Sequence, residues 1–193
     1  MGAARVASGL APIPFWYLRH GETDWNARGL AQGSIDIPLN ETGIAQARSA
    51  ANLLRNRGIA TIVASSLSRA RVTAEIIGAE LGLPVALDDG LREVRFGVEE
   101  GRPQSDWFKA WLAGGFAPEG AESFAELTAR ATAAVNRATV RPPLVLVVAH
   151  GALFRALRAA MSLPFDVPTR NAVPMLCTPP EPGHAGWTLD MAV

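Results

Sequence analysis

The chain has 193 residues, about the length of one domain, and a fold of that size buries about 70% of the surface its unfolded chain exposes, so it needs no disulfide staples. An apolar share of 49% and a charged share of 19% are those of a globular chain, not a disordered one. With 18 basic residues against 18 acidic ones the net charge is zero, which argues against nucleic acid or acidic membrane as the main partner, since both call for a broad basic face.

Lys109 is the only lysine, and the remaining cations are arginines. Codon usage can produce such a bias, and so can a site that grips a tetrahedral or planar oxyanion. One cysteine, Cys177, excludes an internal disulfide. No apolar run has the 18 or more residues of a membrane span, and no Cys/His group has zinc spacing. Pro12 and Pro14 interrupt the apolar start, and Val6 stands where a myristoylation signal has Ser or Thr. Neither a signal peptide nor a lipid anchor is therefore expected, and the expected location is the cytoplasm. Residues 1–12 are expected to form a flexible tail ahead of a single domain.

Short apolar runs then alternate with helical patterns, which predicts an α/β fold. Phe15-Trp16-Tyr17-Leu18 reads as a buried strand. Asn40 can cap a helix with Ile44, Ala47, Ala51 and Leu54 inward, stopped by Gly58. Thr61 to Ala64 is a strand, followed by a helix from Leu67 to Leu81 that Gly82 and Pro84 close, and by a strand from Pro84 to Leu87. The stretch from Glu99 to Gly120 mixes aromatics, glycines and prolines and is expected to be an irregular lid over one sheet edge. The capping box Ser123-x-x-Glu126 opens a helix with Phe124, Leu127, Ala131 and Val135 inward. Leu144 to Val148 is uninterrupted Leu/Val, as a strand covered on both faces should be. A helix after Gly151 carries Leu153, Leu157 and Met161 on one face, and the tail from Val173 reads as two short strands around a Pro/Gly turn at Pro179 to Gly183.

His20 and His150 each follow the end of a predicted strand and each precede a glycine. Ligands of open α/β sheets bind beyond the carboxyl ends of the strands, so two His-Gly pairs there point to one site. Arg19 lies between an apolar strand and a glycine turn, where a buried guanidinium needs an anion that its planar fork can grip. Arg69, in the first turn of its helix, opposes the helix dipole unless an anion compensates. Arg19, His20, Arg69 and His150 together make a cationic cup, and neighbouring arginines favour the neutral, nucleophilic form of an imidazole. That scheme requires no metal and no cofactor.

Departure of a leaving group needs an acid, for which Glu93 is the candidate, since a carboxyl facing a phosphate dianion can donate a proton at neutral pH. Its other reading is a surface salt bridge with Arg92 or Arg95. Glu22 is the rival acid, although directly after Gly21 it suits a turn or an arginine better. Trp107, Phe108, Trp111 and Phe116 in the lid fit an apolar leaving group, ordinary core, or a contact between two copies in a homodimer. His184, in the Pro/Gly turn, reads as exposed.

These residues resemble the histidine phosphatase superfamily, the phosphoglycerate-mutase-like proteins. The likeness runs in order through Arg19-His20-Gly21-Glu22-Thr23, Trp25-Asn26, Gln32-Gly33, Asp36-Ile37-Pro38-Leu39 and Gly43-x-x-Gln46-Ala47. It continues through Ser65-x-x-x-Arg69-Ala70-x-x-Thr73-Ala74-Glu75, Glu93-x-x-Phe96-Gly97, Gly120-x-Glu122-Ser123 and Ala149-His150-Gly151. The resemblance implies an α/β/α sandwich on a largely parallel sheet, with His20 as nucleophile and Glu93 as proton donor and later base. It also implies that Arg19, Arg69 and His150 hold the phosphoryl oxygens, with Asn26, Gln32 and the Gly151 N–H adding hydrogen bonds. Glu99, Ala121 and Leu30 depart from the family pattern at positions that leave the proposed chemistry untouched but can reshape the lid.

The family's sugar-phosphate mutases carry an adjacent arginine pair between the acid and the second histidine. Residues 94–149 contain none. The expected activity is therefore hydrolysis of a small phosphomonoester, the alternatives being mutase-type phosphoryl transfer or a phospho-ligand-binding module without turnover.

Overall fold

Apolar strand residues alternate between two cores, and that alternation organises the molecule. In the computed structural model, which describes residues 9–181 and 186–192, six strands form one mixed sheet in the order β3-β2-β4-β1-β5-β6. They are β1 (Phe15–Arg19), β2 (Thr61–Ala64), β3 (Val85–Leu87), β4 (Val145–Ala149), β5 (Met175–Thr178) and β6 (Thr188–Met191). β1 to β4 pair in parallel, and β5 and β6 add an antiparallel hairpin on the β1 side. The helices are α1 (Asp24–Ala27), α2 (Glu41–Leu54), α3 (Ser68–Leu81), α4 (Asp106–Leu112), α5 (Phe124–Thr139) and α6 (Gly151–Ala160).

Successive strand side chains point to opposite faces. Phe15, Tyr17, Val63, Val145 and Val147 face one core with residues of α5 and α6, among them Leu127, Val135, Leu153 and Phe154. Trp16, Leu18, Ile62, Leu146 and Val148 face the other with Ala50, Leu54, Ala74 and Ile77 of α2 and α3. The expected α/β/α layering follows. Every β4 residue is buried, as its uninterrupted Leu/Val run predicts.

Asn40 caps α2 by accepting from Gly43 N at 2.8 Å, and Ser123 with Glu126 closes the capping box on α5. Helix α2 ends at Leu54, four residues before the expected stop at Gly58, because Arg55 leaves the helical conformation and Asn56 takes a left-handed φ of 59°. The lid is not irregular throughout. Residues 106–112 form α4, whose Trp107, Phe108, Trp111 and Leu112 recur at helical spacing between glycine- and proline-rich flanks. Residues 1–8 of the expected tail lie outside the described residues. Gly9 and Ala11 are held to α5, Ala11 N donating to Asn136 Oδ1 at 2.8 Å and Asn136 Nδ2 to Gly9 O. The turn between β5 and β6 falls partly outside the described residues, and His184 lies there. Among the described residues no helix is long and apolar enough to cross a membrane.

Candidate active site

Parallel pairing of β1 with β4 sets Arg19 opposite Ala149, so the residues that follow, His20 and His150, leave the sheet side by side. His20 N donates to Ala149 O at 2.9 Å, and the two imidazole rings lie 5.2 Å apart. β2 ends level with them, and Ser65, just past it, donates its N–H to Val148 O. Adjacent strand ends thus bring three distant parts of the chain to one place.

The loop after His20 is held by backbone packing. A Cβ on Gly21 would lie 2.3 Å from Gly43 O, and one on Gly43 would lie 2.1 Å from Glu22 O. Only paired glycines let α2 approach this closely. Gln46 Oε1 then accepts from Glu22 N at 2.8 Å, and the Glu22 carboxylate accepts from Asn40 Nδ2. Glu22 therefore serves this loop and does not reach the cavity.

His20 is 2% exposed, and its Nδ1 lies 2.7 Å from Gly21 O. A carbonyl oxygen only accepts, so Nδ1 carries the proton of the neutral ring and Nε2 keeps its lone pair. Burial, then the charges of Arg69 and Arg19, hold the His20 pKa well below the usual histidine value. His150 is fully buried and oriented the other way round, with Nε2 2.8 Å from Ser65 Oγ and Nδ1 unpartnered. Burial and Arg69 push its pKa down as well. The Tyr17 hydroxyl donates to His150 O at 2.7 Å and accepts from His150 N at 3.0 Å, fixing the backbone where α6 begins.

Arg19 and Arg69 each use part of the guanidinium to hold a loop. Arg19 Nη1 donates to Thr169 O, and Arg69 Nη1 and Nη2 donate to Ile35 O and Gly33 O. The Nε of each is buried without a partner. Desolvation lowers the Arg69 pKa to about 10, and the Arg19 pKa falls for the same main reason. Glu93 makes no ion pair with Arg92 or Arg95. Its two carboxylate oxygens accept from Ala152 N at 3.0 Å and Leu153 N at 2.9 Å, capping the start of α6. Glu100 fixes the opposite wall, accepting from Ser34 N and Phe96 N, which ties the Gly33 turn under Arg69 to the segment carrying Glu93.

These groups line a cavity of about 170 Å³ that includes Arg19, His20, Asn26, Gln32, Arg69, Glu93 and Gly151. The predicted His150 is not among the lining residues; it is fully buried, with its ring 5.2 Å from that of His20. Asn26 Oδ1 accepts from Thr23 N and from Asn171 Nδ2, and Asn171 Nδ2 also donates to His20 O. Among the described residues, five of the six buried side-chain polar atoms without a partner belong to this region: Arg19 Nε, Arg69 Nε, His150 Nδ1, Gln32 Oε1 and Thr169 Oγ1. Each such atom costs on the order of 1–3 kcal/mol until a polar group meets it. Three cations, Arg19, Arg69 and Arg155, face one carboxylate here, an electrostatic balance that suits an oxyanion.

Sequence reasoning missed Tyr17, Ser65 as the partner of His150, Thr169, Asn171 and Arg155. Arg155 stands one helical turn after Gly151, and that spacing was the available signal; Asn171 offered none. Of the lid aromatics only Phe108 lines the cavity. Trp107, Phe108 and Trp111 pack with Phe96, and Trp111 also packs with Phe124, which extends the core, while Phe116 is exposed.

A family model described as histidine phosphatase superfamily (branch 1) matches residues 15–178. The chain is 40% identical over 165 residues to the Yersinia pestis (strain Pestoides F) protein named "Probable phosphoglycerate mutase GpmB", covering 79% of this chain and 76% of that one. A mycobacterial glucosyl-3-phosphoglycerate phosphatase solved with VO3 superposes with a TM-score of 0.81 at 32% identity, covering 92% of this chain and 97% of that one. A phosphoserine phosphatase mutant from Entamoeba histolytica, solved with phosphoserine, superposes with a TM-score of 0.76 at 26% identity, covering 93% and 96%. The fold, the family model and these relatives agree, and the chain is an enzyme belonging to branch 1 of the histidine phosphatase superfamily.

Proposed function

We propose that the chain is a metal-independent phosphomonoester hydrolase that works through a phosphohistidine on His20. The observation that carries this reading is the Nδ1–H to Gly21 O bond, which leaves the Nε2 lone pair of a neutral imidazole in a cavity shared with Arg19, Arg69 and Glu93. Nε2 attacks phosphorus, the ester P–O bond breaks, and the leaving oxygen takes a proton from the Glu93 carboxyl. In the second step the Glu93 carboxylate removes a proton from water. The water oxygen attacks phosphorus, the N–P bond breaks, and phosphate leaves with His20 neutral and Glu93 protonated again. The unpartnered Nε of Arg19 and Arg69, the Gly151 N–H, and the amides of Asn26 and Gln32 stabilise the charge that develops on the phosphoryl oxygens. His150 Nδ1 joins them as a donor when the Ser65 hydroxyl donates to its Nε2.

Hydrolysis is favoured over transfer to a second substrate because residues 94–149 hold no adjacent arginine pair, and because two solved relatives are named phosphatases. The 40% identity to a protein named as a mutase supports the second reading, phosphoryl transfer between positions of a phosphoglycerate. Release of p-nitrophenol from p-nitrophenyl phosphate in excess chelator tests the first reading. Wild type is expected to turn over and His20→Ala to be inert; equal rates would remove His20 from the chemistry. Isomerisation of 3-phosphoglycerate with a bisphosphorylated primer, faster than phosphate release, would establish the mutase reading instead.

A further inference from the structure

The stretch Gly120-x-Glu122-Ser123 has no role in the hydrolysis scheme, yet it holds a part-buried ion pair beside the segment that carries Glu93. Both Glu122 carboxylate oxygens are gripped by the fork of Arg130 on α5, Nε donating to Oε1 at 2.8 Å and Nη2 to Oε2 at 2.6 Å. The third nitrogen of that guanidinium, Nη1, donates to Gly90 O at 2.9 Å and to Arg92 O at 2.8 Å. At the other end of the segment, Arg95 O accepts from Glu122 N at 2.9 Å, and Phe96 pairs with Ala121. The ion pair therefore holds the carbonyl just before Glu93 and the one two residues after it. Val94, fully buried, anchors the segment in the core. The Glu93 side chain lies between two open spaces, the site cavity and a second one of about 490 Å³ whose lining includes Ser34, Arg92, Glu122 and Arg130.

We infer that Arg130, oriented by Glu122, is a positioning residue for Glu93, the proton donor of the proposed reaction. The inference rests on the phosphohistidine reading and adds a residue to it. With cavities on both sides, the Glu93 carboxyl takes its place from the peptide groups that carry it and from the α6 N–H groups it accepts from. A general acid must come within about 2.6–3.2 Å of the oxygen it protonates, and a misplacement of about 1 Å costs on the order of 10²-fold in rate. Arg130 divides its N–H groups among four acceptors, two carboxylate oxygens and two carbonyls. A lysine ammonium lacks the planar fork and has fewer donors, so it cannot hold the carboxylate and both carbonyls together. Arg137, two turns further along α5, grips Asp88 with the same kind of fork, five residues before Glu93, and supplies a control.

Dependence on the leaving group separates the positioning of an acid from support of the fold. p-Nitrophenolate departs without a proton, whereas phenolate and benzyl alkoxide need one increasingly, so the full chain is assayed on p-nitrophenyl, phenyl and benzyl phosphate. The comparison uses kcat/KM, which covers the steps up to departure and excludes the later attack of water. Glu93→Gln is expected to lose most on benzyl phosphate and least on p-nitrophenyl phosphate. Arg130→Lys and Glu122→Gln are expected to repeat that trend, with losses within about 3-fold on p-nitrophenyl phosphate and about 10- to 100-fold on benzyl phosphate. In a Glu93→Gln background, Arg130→Lys should add no further dependence on the ester. Arg137→Met should leave the ratios among the three esters at the wild-type values. A role confined to the fold would lower the urea midpoint and slow all three esters by one common factor. The inference is overturned if Arg130→Lys and Glu122→Gln slow the three esters alike or not at all, or if the trends of Arg130→Lys and Glu93→Gln multiply. Either variant decides the matter should the other not fold. A trend in Glu93→Gln that neither variant repeats overturns this inference alone. Wild type inert toward every ester overturns the hydrolase reading and this inference with it.

Discussion

His20-Gly21 and His150-Gly151 are the same dipeptide at the ends of neighbouring parallel strands, yet the fold uses them in opposite ways. The chain after His20 continues as a loop clamped against Gly43, and the ring donates Nδ1–H to the adjacent carbonyl with Nε2 left bare. His150 is the residue before α6, its backbone is fixed by Tyr17, and its ring contacts Ser65 through Nε2 with Nδ1 left unpartnered. On the proposed reading, a nucleophile and a hydrogen-bond donor differ here in which ring nitrogen the surroundings occupy. That choice is made by a carbonyl one residue away in one case and by a hydroxyl 85 residues away in the other.

If that difference in role holds, the two histidines must fail differently. His20→Ala is expected to lose activity by on the order of 10⁴- to 10⁶-fold, since removing a nucleophile removes the covalent route; stopped-flow or long-incubation assays measure the residue. His150→Ala is expected to cost less, on the order of 10²- to 10³-fold in kcat, the scale for losing one donor to a developing oxyanion. Equal losses in the two variants would break the assignment of separate roles. Ser65→Ala should lower kcat by about 2–10-fold, the kinetic equivalent of one hydrogen bond, by releasing the His150 ring from its orientation. The same change should leave the His20 bond to Gly21 O undisturbed, which a ring-nitrogen NMR measurement of the two tautomers would check.

Backbone and pH effects sharpen the contrast further. Tyr17→Phe strips the buried N–H and C=O of His150 of their shared partner, and denaturant unfolding is expected to show a loss of about 1–3 kcal/mol. Both histidines are held below the usual histidine pKa of 6.5 by burial first and by the arginine charges next. In the unfolded chain they take up protons as pH falls through that value, while in the folded chain they resist. The unfolded state then binds more protons, so stability falls as pH drops below 6.5 and levels off only near the depressed folded-state pKa values. Urea midpoints measured between pH 7.5 and 5 should show that slope, and His20→Asn with His150→Asn should flatten it.

The strand framework was legible because β4 and the first four residues of β1 are apolar without a break and carry the cores of both faces on alternate residues. That the two histidines and Arg19 lie close together was legible because all three stand at strand ends beside glycine turns, and Arg69 stood out because it opposes the dipole of its helix. Helix α4 was not, because Gly101, Pro103, Gly114 and Gly115 flank a segment of only two turns and masked its helical spacing. Arg155 was passed over because an arginine on an amphipathic helix has the same pattern whether it faces water or a cavity. Only the packing of Phe108 and the carbonyl of Phe165 against it distinguishes the two. The ring orientations were out of reach for a related reason, since they depend on partners that the fold supplies and the local sequence does not name.

On the proposed reading, His20 Nε2 carries the phosphoryl group between the two half-reactions. Rapid acid-free quenching of wild type during turnover of a ³²P-labelled phosphomonoester, followed by peptide mapping, tests it directly. The account predicts an acid-labile, base-stable phosphate on the peptide containing His20, absent from His20→Asn and still formed, more slowly, in His150→Ala. Turnover by wild type with no label on His20, or the same label persisting in His20→Asn, would contradict it.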